Sequence, residues 1–249
     1  MSMAVLVPSF DKYSFLWQAF FKLFKEYWPN CRYPVYLGTN YKSADIDWVT
    51  DLKIGEDTCW GLTVSKMLEM IEEDYVVIIL EDFFIIELVD DAAIESAYEF
   101  IKANGIDCLG LHACPKPKTL PQDGQIFGEV LPGEPYRINA QVSIWKKESL
   151  LKVLRPNFSP WDFETLGDVV ARKNSLEIWG SYKPLIHHEQ AIGRGKWFQS
   201  IVPVCEKHGI NFDFYERGFY EPQKPSFIAK CKGLIKPHII PILCWIRSK

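Results

Sequence analysis

In the first 111 residues, short β-forming runs alternate with stretches of helical periodicity, and that alternation restricts the chain to an α/β architecture. "MAVLV" is a β-rich run that ends at Pro8. Leu16, Ala19, Phe20, Leu23, Phe24 and Tyr27 then recur at helical spacing, with Pro29 beyond them. "YPVYLG" reads as a second strand. Val64, Met67, Leu68 and Ile71 follow the i, i+3, i+4, i+7 pattern and lead into a strand over residues 75–80. Ile94, Ala97, Tyr98 and Ile101 repeat that pattern, opened by Asp90 or Asp91 and closed by Asn104-Gly105. "DCLGL", residues 107–111, is a further strand. Strand and helix in strict turn predict a mainly parallel sheet flanked by helices, in which ligands bind outside the carboxyl ends of the strands. Ser9, Thr39, Asn40, Glu81 and Asp82 all fall at such ends.

The most hydrophobic strand, "YVVIILEDFFI", ends in two acids. Glu81 and Asp82 are hard oxygen ligands of the kind that hold Mg²⁺ or Mn²⁺ against a diphosphate. A cap on the following segment would account for them equally well.

The second half changes character. Residues 115–135 hold five prolines and three glycines, which predicts a long loop with a small hairpin around "QIFGEVL". "YRINAQVSIW", residues 136–145, alternates strictly. It predicts a strand with Tyr136, Ile138, Ala140, Val142 and Ile144 on one face and Arg137, Asn139, Gln141 and Ser143 on the other. A helix is expected over Lys147–Leu154, stopping before Pro156. Another starts at "SPWDFETLGDVVARK", capped by Ser159 with Pro160 at its first position. "WFQSIVPVCEKHG" predicts a helix bent or delayed by Pro203. No internal repeat is present.

Hydrophobic residues make up 48% of the 249, enough for a sizeable core. The net charge of −4 argues against a dedicated nucleic-acid binder. Six basic residues and no acid lie between Pro222 and Lys249, so the rest of the chain is strongly acidic. Seven cysteines form no CxxC pair, and the start of the chain lacks a leader pattern, so a reducing cytoplasm is the expected compartment.

"SPWDFE" places Asp162 and Glu164 in the first turn of a helix, where acids complement the helix dipole. A carboxylate beside Trp161 and Phe163 also has the partly apolar surroundings that suit a general base. "HHEQAIGRGKWF", residues 187–198, concentrates His187, His188, Arg194 and Lys196, with Gly193 and Gly195 to let the loop bend.

"VLVPSFDKY", "YVVIILEDF" and "SPWDFE", in this order, resemble a GT-A-type glycosyltransferase over about residues 3–200. More narrowly, the chain is similar to bacterial glycosyltransferase-like proteins of surface polysaccharide gene clusters, such as those for lipopolysaccharide or capsule. The resemblance implies a GT-A-like, Rossmann-type sandwich in one domain over residues 1–221. Residues 1–111 would be its nucleotide-sugar-binding half and 112–221 its acceptor and catalytic half. It implies an inverting transferase with Glu164 as the base, in preference to Asp162. Donor contacts would come from Pro8, Ser9, Phe10, Asp11, Thr39, Asn40, Trp60, Lys66, Glu81 and Asp82, and Arg194 and Lys196 would clamp the diphosphate. Arg137, Asn139, Gln141 and Trp161 would meet a saccharide or lipid-linked acceptor. Asp82 and His188 would be the metal ligands for Mn²⁺ or Mg²⁺. Phe83 departs from the family's usual DxD, which leaves Asp82 as the one direct ligand or an enzyme that works without metal.

The basic, apolar tail, residues 222–249, is too short to span a bilayer and is expected to lie on the anionic inner face of the plasma membrane or to pack on the domain. Two rivals remain. A nucleotidyltransferase of related fold would want a Gly-rich, lysine-bearing loop near residue 10, and "VPSFDKYSF" has no glycine. A non-catalytic sugar-binding or interaction module would keep the cleft and tolerate loss of the base.

Overall fold

Every residue of the first strand is buried, and the reason is visible in the computed structural model, which describes residues 2–119, 121 and 124–221. In chain order the elements are β1 (Met3–Val7), α1 (Ser14–Tyr27), β2 (Val35–Thr39), β3 (Val49–Lys53), α2 (Trp60–Glu69), β4 (Tyr75–Ile78), β5 (Phe83–Ile85), α3 (Asp91–Asn104), β6 (Cys108–Gly110) and β7 (Phe127–Glu129). There follow β8 (Ser143–Lys146), α4 (Lys147–Val153), α5 (Pro160–Lys173), β9 (Ile178–Ser181), β10 (His188–Gln190), β11 (Ile192–Gly193), β12 (Lys196–Trp197), α6 (Ile201–Lys207) and α7 (Phe214–Arg217).

Eight strands form one sheet in the order β3-β2-β1-β4-β8-β6-β9-β7. β8 runs antiparallel to β4 and β6, β7 antiparallel to β9, and the other six share one direction. The expected mainly parallel α/β sheet is thus observed, and it continues through both halves of the chain as a single domain. Both faces are covered, which is why β1 and β4 are apolar at every position. Met3, Val5 and Val7 of β1 join α1 and α3 in one core, while Ala4 and Leu6 join α2, α4 and α5 in the other.

The helix ends follow their capping chemistry. Asp90 accepts the N–H groups of Ala92 and Ala93, and Gly105 closes α3 in the left-handed conformation. Ser159 and Asp162 form a reciprocal capping box at the start of α5, with Pro160 as its first residue. Gly61, near the start of α2, is required by close approach: a Cβ there would stand 2.0 Å from the Arg155 carbonyl oxygen.

Several elements differ from expectation. β3 escapes the periodicity because it is an edge strand whose only buried residue is Leu52. The run after Asp82 is a strand of its own, β5, paired with β10 rather than with the main sheet. Residues 127–129 add to the sheet edge against β9 instead of forming a small hairpin. The alternation over 136–145 is misleading, because only Ser143–Lys146 is strand. Arg137 and Ile138, expected on opposite faces, are both buried. Tyr136 has a φ of 59°, and the Gln141 N–H donates to the Asn139 side chain at 2.8 Å, so turn chemistry wins over the pleat. α6 starts only at Ile201, after Trp197 has been taken into β12. The tail, residues 222–249, lies outside the described residues.

Candidate active site

The strand order reverses between β1 and β4: the chain runs outward through β2 and β3, then returns to the other side of β1. The carboxyl ends of these two strands open onto a cleft of about 770 Å³. That is the crevice where doubly wound sheets bind ligands.

Glu81 and Asp82 sit at its floor, in a tight turn closed by the Phe83 N–H on the Leu80 carbonyl at 3.0 Å. Each carboxylate residue is only 8% exposed. The Ser9 hydroxyl, just past β1, accepts the Trp17 indole N–H at 2.8 Å and is hydrogen-bonded to Glu81. Gln190 Nε2 donates to Asp82 Oδ2 at 3.3 Å, and the Ala191 N–H donates to the Asp82 carbonyl at 2.7 Å. Burial pushes both carboxyls up from their ordinary range, and the charge on Asp82 pushes Glu81 further. The two titrate as a pair. Among the described residues neither makes an ion pair with a basic side chain.

The facing wall comes from α5 and the segment before β8. Glu164 Oε1 accepts the Ala140 N–H at 3.3 Å. Trp161, three residues earlier on the helix, is 65% exposed. Asn139 Nδ2 donates to the carbonyls of Tyr136 and Cys114, at 2.8 and 3.0 Å, and so ties the loop to the end of the segment after β6. A third side is the β11–β12 hairpin. Its two-residue turn, Arg194-Gly195, has φ values of 52° and 78°, the geometry in which glycine is favoured at the second position.

Of the residues expected from sequence, Pro8, Ser9, Phe10, Trp60, Glu81, Asp82, Asn139, Gln141, Trp161, Glu164 and Arg194 line this one cleft. The others do not. Asp11 accepts the N–H groups of Asn40, Tyr41 and Lys42, and Asn40 returns a bond to the Asp11 N–H, so these two stitch neighbouring loops together. Thr39 is fully buried. Lys66 lies half-buried on α2 outside the cleft, and Lys196 is exposed beyond the hairpin turn. Asp162 is engaged in the α5 cap, accepting from Ser159 N and Oγ at 3.1 and 2.7 Å. Arg137 is turned into the protein, where Nε meets the Val130 carbonyl at 2.7 Å, Nη1 meets Asp168 at 3.1 Å and Nη2 meets the Leu176 carbonyl at 3.0 Å.

His188 is also away from the cleft. Its ring packs against Phe83, with centroids 4.4 Å apart, and against His112 at 4.2 Å. Burial pushes its pKa down to about 3, and the half-buried ring packs on its neighbours instead of lining the cleft. Among the described residues no group of three or more His, Cys, Asp or Glu is placed to hold a metal ion. Glu81 and Asp82 nevertheless fit a divalent cation by chemistry. Mg²⁺ is ordinarily held by one or two carboxylates together with substrate phosphates rather than by an all-protein cage. Among the described residues, the charged groups on the cleft wall are four carboxyls, of Asp57, Glu81, Asp82 and Glu164, against the single guanidinium of Arg194.

Sequence reasoning missed Tyr13, Asp57, Tyr136, Gln190 and Tyr220, all of which line the cleft. Asp57 accepts the Thr63 hydroxyl at 2.6 Å; it follows β3, and recognising that edge strand would have pointed to it. Gln190 was hidden because nothing in a three-residue strand announces its pairing with β5.

No protein family and no curated protein matches the chain. Solved structures similar to it include S. aureus TarS 1-349 in complex with UDP-GlcNAc, with a TM-score of 0.47, 13% identity and coverage of 68% of this chain and 54% of that one. CMP:2-keto-3-deoxy-manno-octonic acid synthetase complexed with CTP gives 0.45 at 10% identity, covering 84% and 97%. The bifunctional IspDF from Campylobacter jejuni gives 0.44 at 14%, covering 76% and 52%. The chain thus spans about half the length of the TarS and IspDF chains. Likenesses this distant assign no activity to the chain.

Among the described residues no helix is long and apolar enough to cross a membrane.

Proposed function

We propose that the chain is a sugar-nucleotide-dependent glycosyltransferase acting on a saccharide or lipid-linked saccharide in surface polysaccharide assembly. The observation that carries this reading is the buried pair Glu81–Asp82 at the switch point of the sheet, facing Glu164 across one cleft. The nucleotide would lie against Pro8, Ser9 and Phe10. Among the described residues its diphosphate would meet four carboxyls and one guanidinium, so a divalent cation on Asp82 and Glu81 is the natural counter-charge. Such a cation supplies Lewis-acid stabilisation of the leaving diphosphate. Arg194, at the hairpin tip, adds a charge-assisted hydrogen bond to the same group.

Glu164 is the base. It accepts the proton of the acceptor hydroxyl as that oxygen bonds to the anomeric carbon. The bond from the anomeric carbon to the diphosphate oxygen breaks, its electrons leave with the nucleoside diphosphate, and the sugar inverts. Preorganisation lies in the chain itself: Asp82 is held by Gln190, Glu81 by Ser9, and Glu164 by the Ala140 amide.

The test is incubation with a panel of sugar nucleotides, following nucleotide release with and without Mn²⁺. The reading expects release from at least one donor, and Glu164→Gln should suppress it. Release undiminished in that variant would remove Glu164 as the base. Pyrophosphate formed from a nucleoside triphosphate and a sugar phosphate would instead identify a nucleotidyltransferase.

A further inference from the structure

At the outer wall of the cleft two aromatic side chains face solvent. Tyr136 is 59% exposed and Trp161 is 65% exposed. Most large aromatics of this chain are packed in the core or on one another, as Trp60 is on Phe163, with centroids 5.2 Å apart. Among the described residues, neither Tyr136 nor Trp161 packs on another ring.

The Tyr136 backbone makes the exposure more telling. Its φ of 59° is the left-handed region, which a bulky side chain enters at a cost. The surroundings hold it there. Its carbonyl accepts Asn139 Nδ2 at 2.8 Å, and the next residue, Arg137, is fixed by its bonds to Val130, Asp168 and Leu176. A chain that needed only a turn would place Gly or Asn here. Strain of this kind concentrates where a side chain has a job at a binding site.

We propose that Tyr136 and Trp161 form the walls of a saccharide subsite, with Asn139 and Gln141 between them and Glu164 at its inner end. This deepens the glycosyltransferase reading and rests on it for the direction of the reaction. The chemistry of the lining selects the ligand. A pyranose has an apolar face of C–H bonds that stacks on an aromatic ring, and a rim of hydroxyls that pairs with amides and carboxylates. An acyl chain would leave the Gln141 and Glu164 side chains facing hydrocarbon. A polyanion that brings no divalent cation would be repelled by the four carboxyls that the described residues place on the cleft wall against one guanidinium. The nucleotide is accommodated on the opposite wall, beside Ser9 and Phe10.

The experiment is saturation-transfer NMR on the full chain with a panel of methyl pyranosides (glucose, galactose, N-acetylglucosamine) and their β-1,4-linked disaccharides. UDP and GDP binding is measured separately by calorimetry with Mn²⁺ present. Wild type should transfer saturation to ring C–H protons of at least one saccharide. Trp161→Ala and Tyr136→Asn should each weaken that binding at least tenfold and leave nucleotide binding within twofold. Asn tolerates the left-handed backbone, so Tyr136→Asn should melt no lower than wild type, which separates a lost contact from a damaged fold. No transfer to any member of the panel, or binding that survives both substitutions, overturns the subsite. Saccharide binding in a chain that binds no nucleotide would overturn the glycosyltransferase reading and leave the subsite standing.

Discussion

The two walls of the cleft are built by opposite means. The inner wall comes from strand ends. Ser9, Glu81, Asp82 and Gln190 are held by β1, β4 and β10, largely buried and bonded to one another. The outer wall comes from an irregular segment and a helix start, with Tyr136 and Trp161 facing solvent. A sheet can hold carboxylates out of water because the neighbouring strands fix their partners; a loop cannot, but it can present large side chains in unusual backbone conformations. Charge is stored on the first wall and shape on the second. This division predicts where substitutions will be felt.

The largest effect is expected where the walls meet. Glu164→Gln should lower turnover by about 10²–10⁴-fold, the usual contribution of a positioned general base, with little change in melting temperature or in nucleotide affinity. Initial rates with a competent donor and acceptor measure it. Behind the outer wall, Arg137→Ala should cost about 2–4 kcal/mol of stability, because it leaves two buried carbonyls without their donor and takes from Asp168 one of its partners, Arg172 and the Gly133 N–H remaining. Chemical denaturation checks this; a stable variant with only weaker acceptor binding would return Arg137 to the cleft.

On the hairpin, Arg194→Ala should weaken nucleoside diphosphate binding by about tenfold, the loss of roughly 1.5 kcal/mol for a hydrogen bond to a charged group. Lys196→Ala, beyond the turn, should change it less than twofold. Equal effects would mean that the hairpin closes further over the ligand than its free geometry.

The smallest effect concerns the stored charge. Glu81 holds its proton to higher pH in the folded chain than in the unfolded one. Folding therefore takes up a proton, and the site costs stability as pH rises from the unfolded carboxyl's range through the raised folded value. Glu81→Gln should gain stability relative to wild type as the pH rises from 4 towards 8. That gain should vanish near pH 4, where the carboxyl is protonated in both states. Melting curves at the two pH values decide it.

The same contrast governs what the sequence reveals. On the inner wall Glu81 and Asp82 were legible because a strand buried on both faces is a continuous apolar run and they interrupt it, whereas Gln190 was not. The capping box of α5 was legible for a similar reason, since Ser159, Pro160 and Asp162 each carry a local signal. The outer wall was legible only in part: Asn139, Gln141, Trp161 and Glu164 were expected there, whereas Tyr136 was missed and Arg137 was expected in the cleft. The alternation in "YRINAQVSIW" mimics a strand, whereas Arg137 is drawn inward by carbonyls of residues 130 and 176, which no local pattern encodes. The loss of Asp11 and Asn40 to loop stitching has the same origin: their partners are 29 residues away along the chain. His188 was expected as a ligand from the resemblance alone, and its neighbours in space are Phe83 and His112.

On the proposed reading, the buried carboxyls at the end of β4 receive a nucleoside diphosphate through a divalent cation. Calorimetric titration of UDP and GDP at pH 8, with Mn²⁺ and then with EDTA, tests it on wild type and Asp82→Asn. Binding to wild type should depend on Mn²⁺ and fall at least tenfold in Asp82→Asn. Binding of the same strength in that variant, with or without the metal, would contradict it.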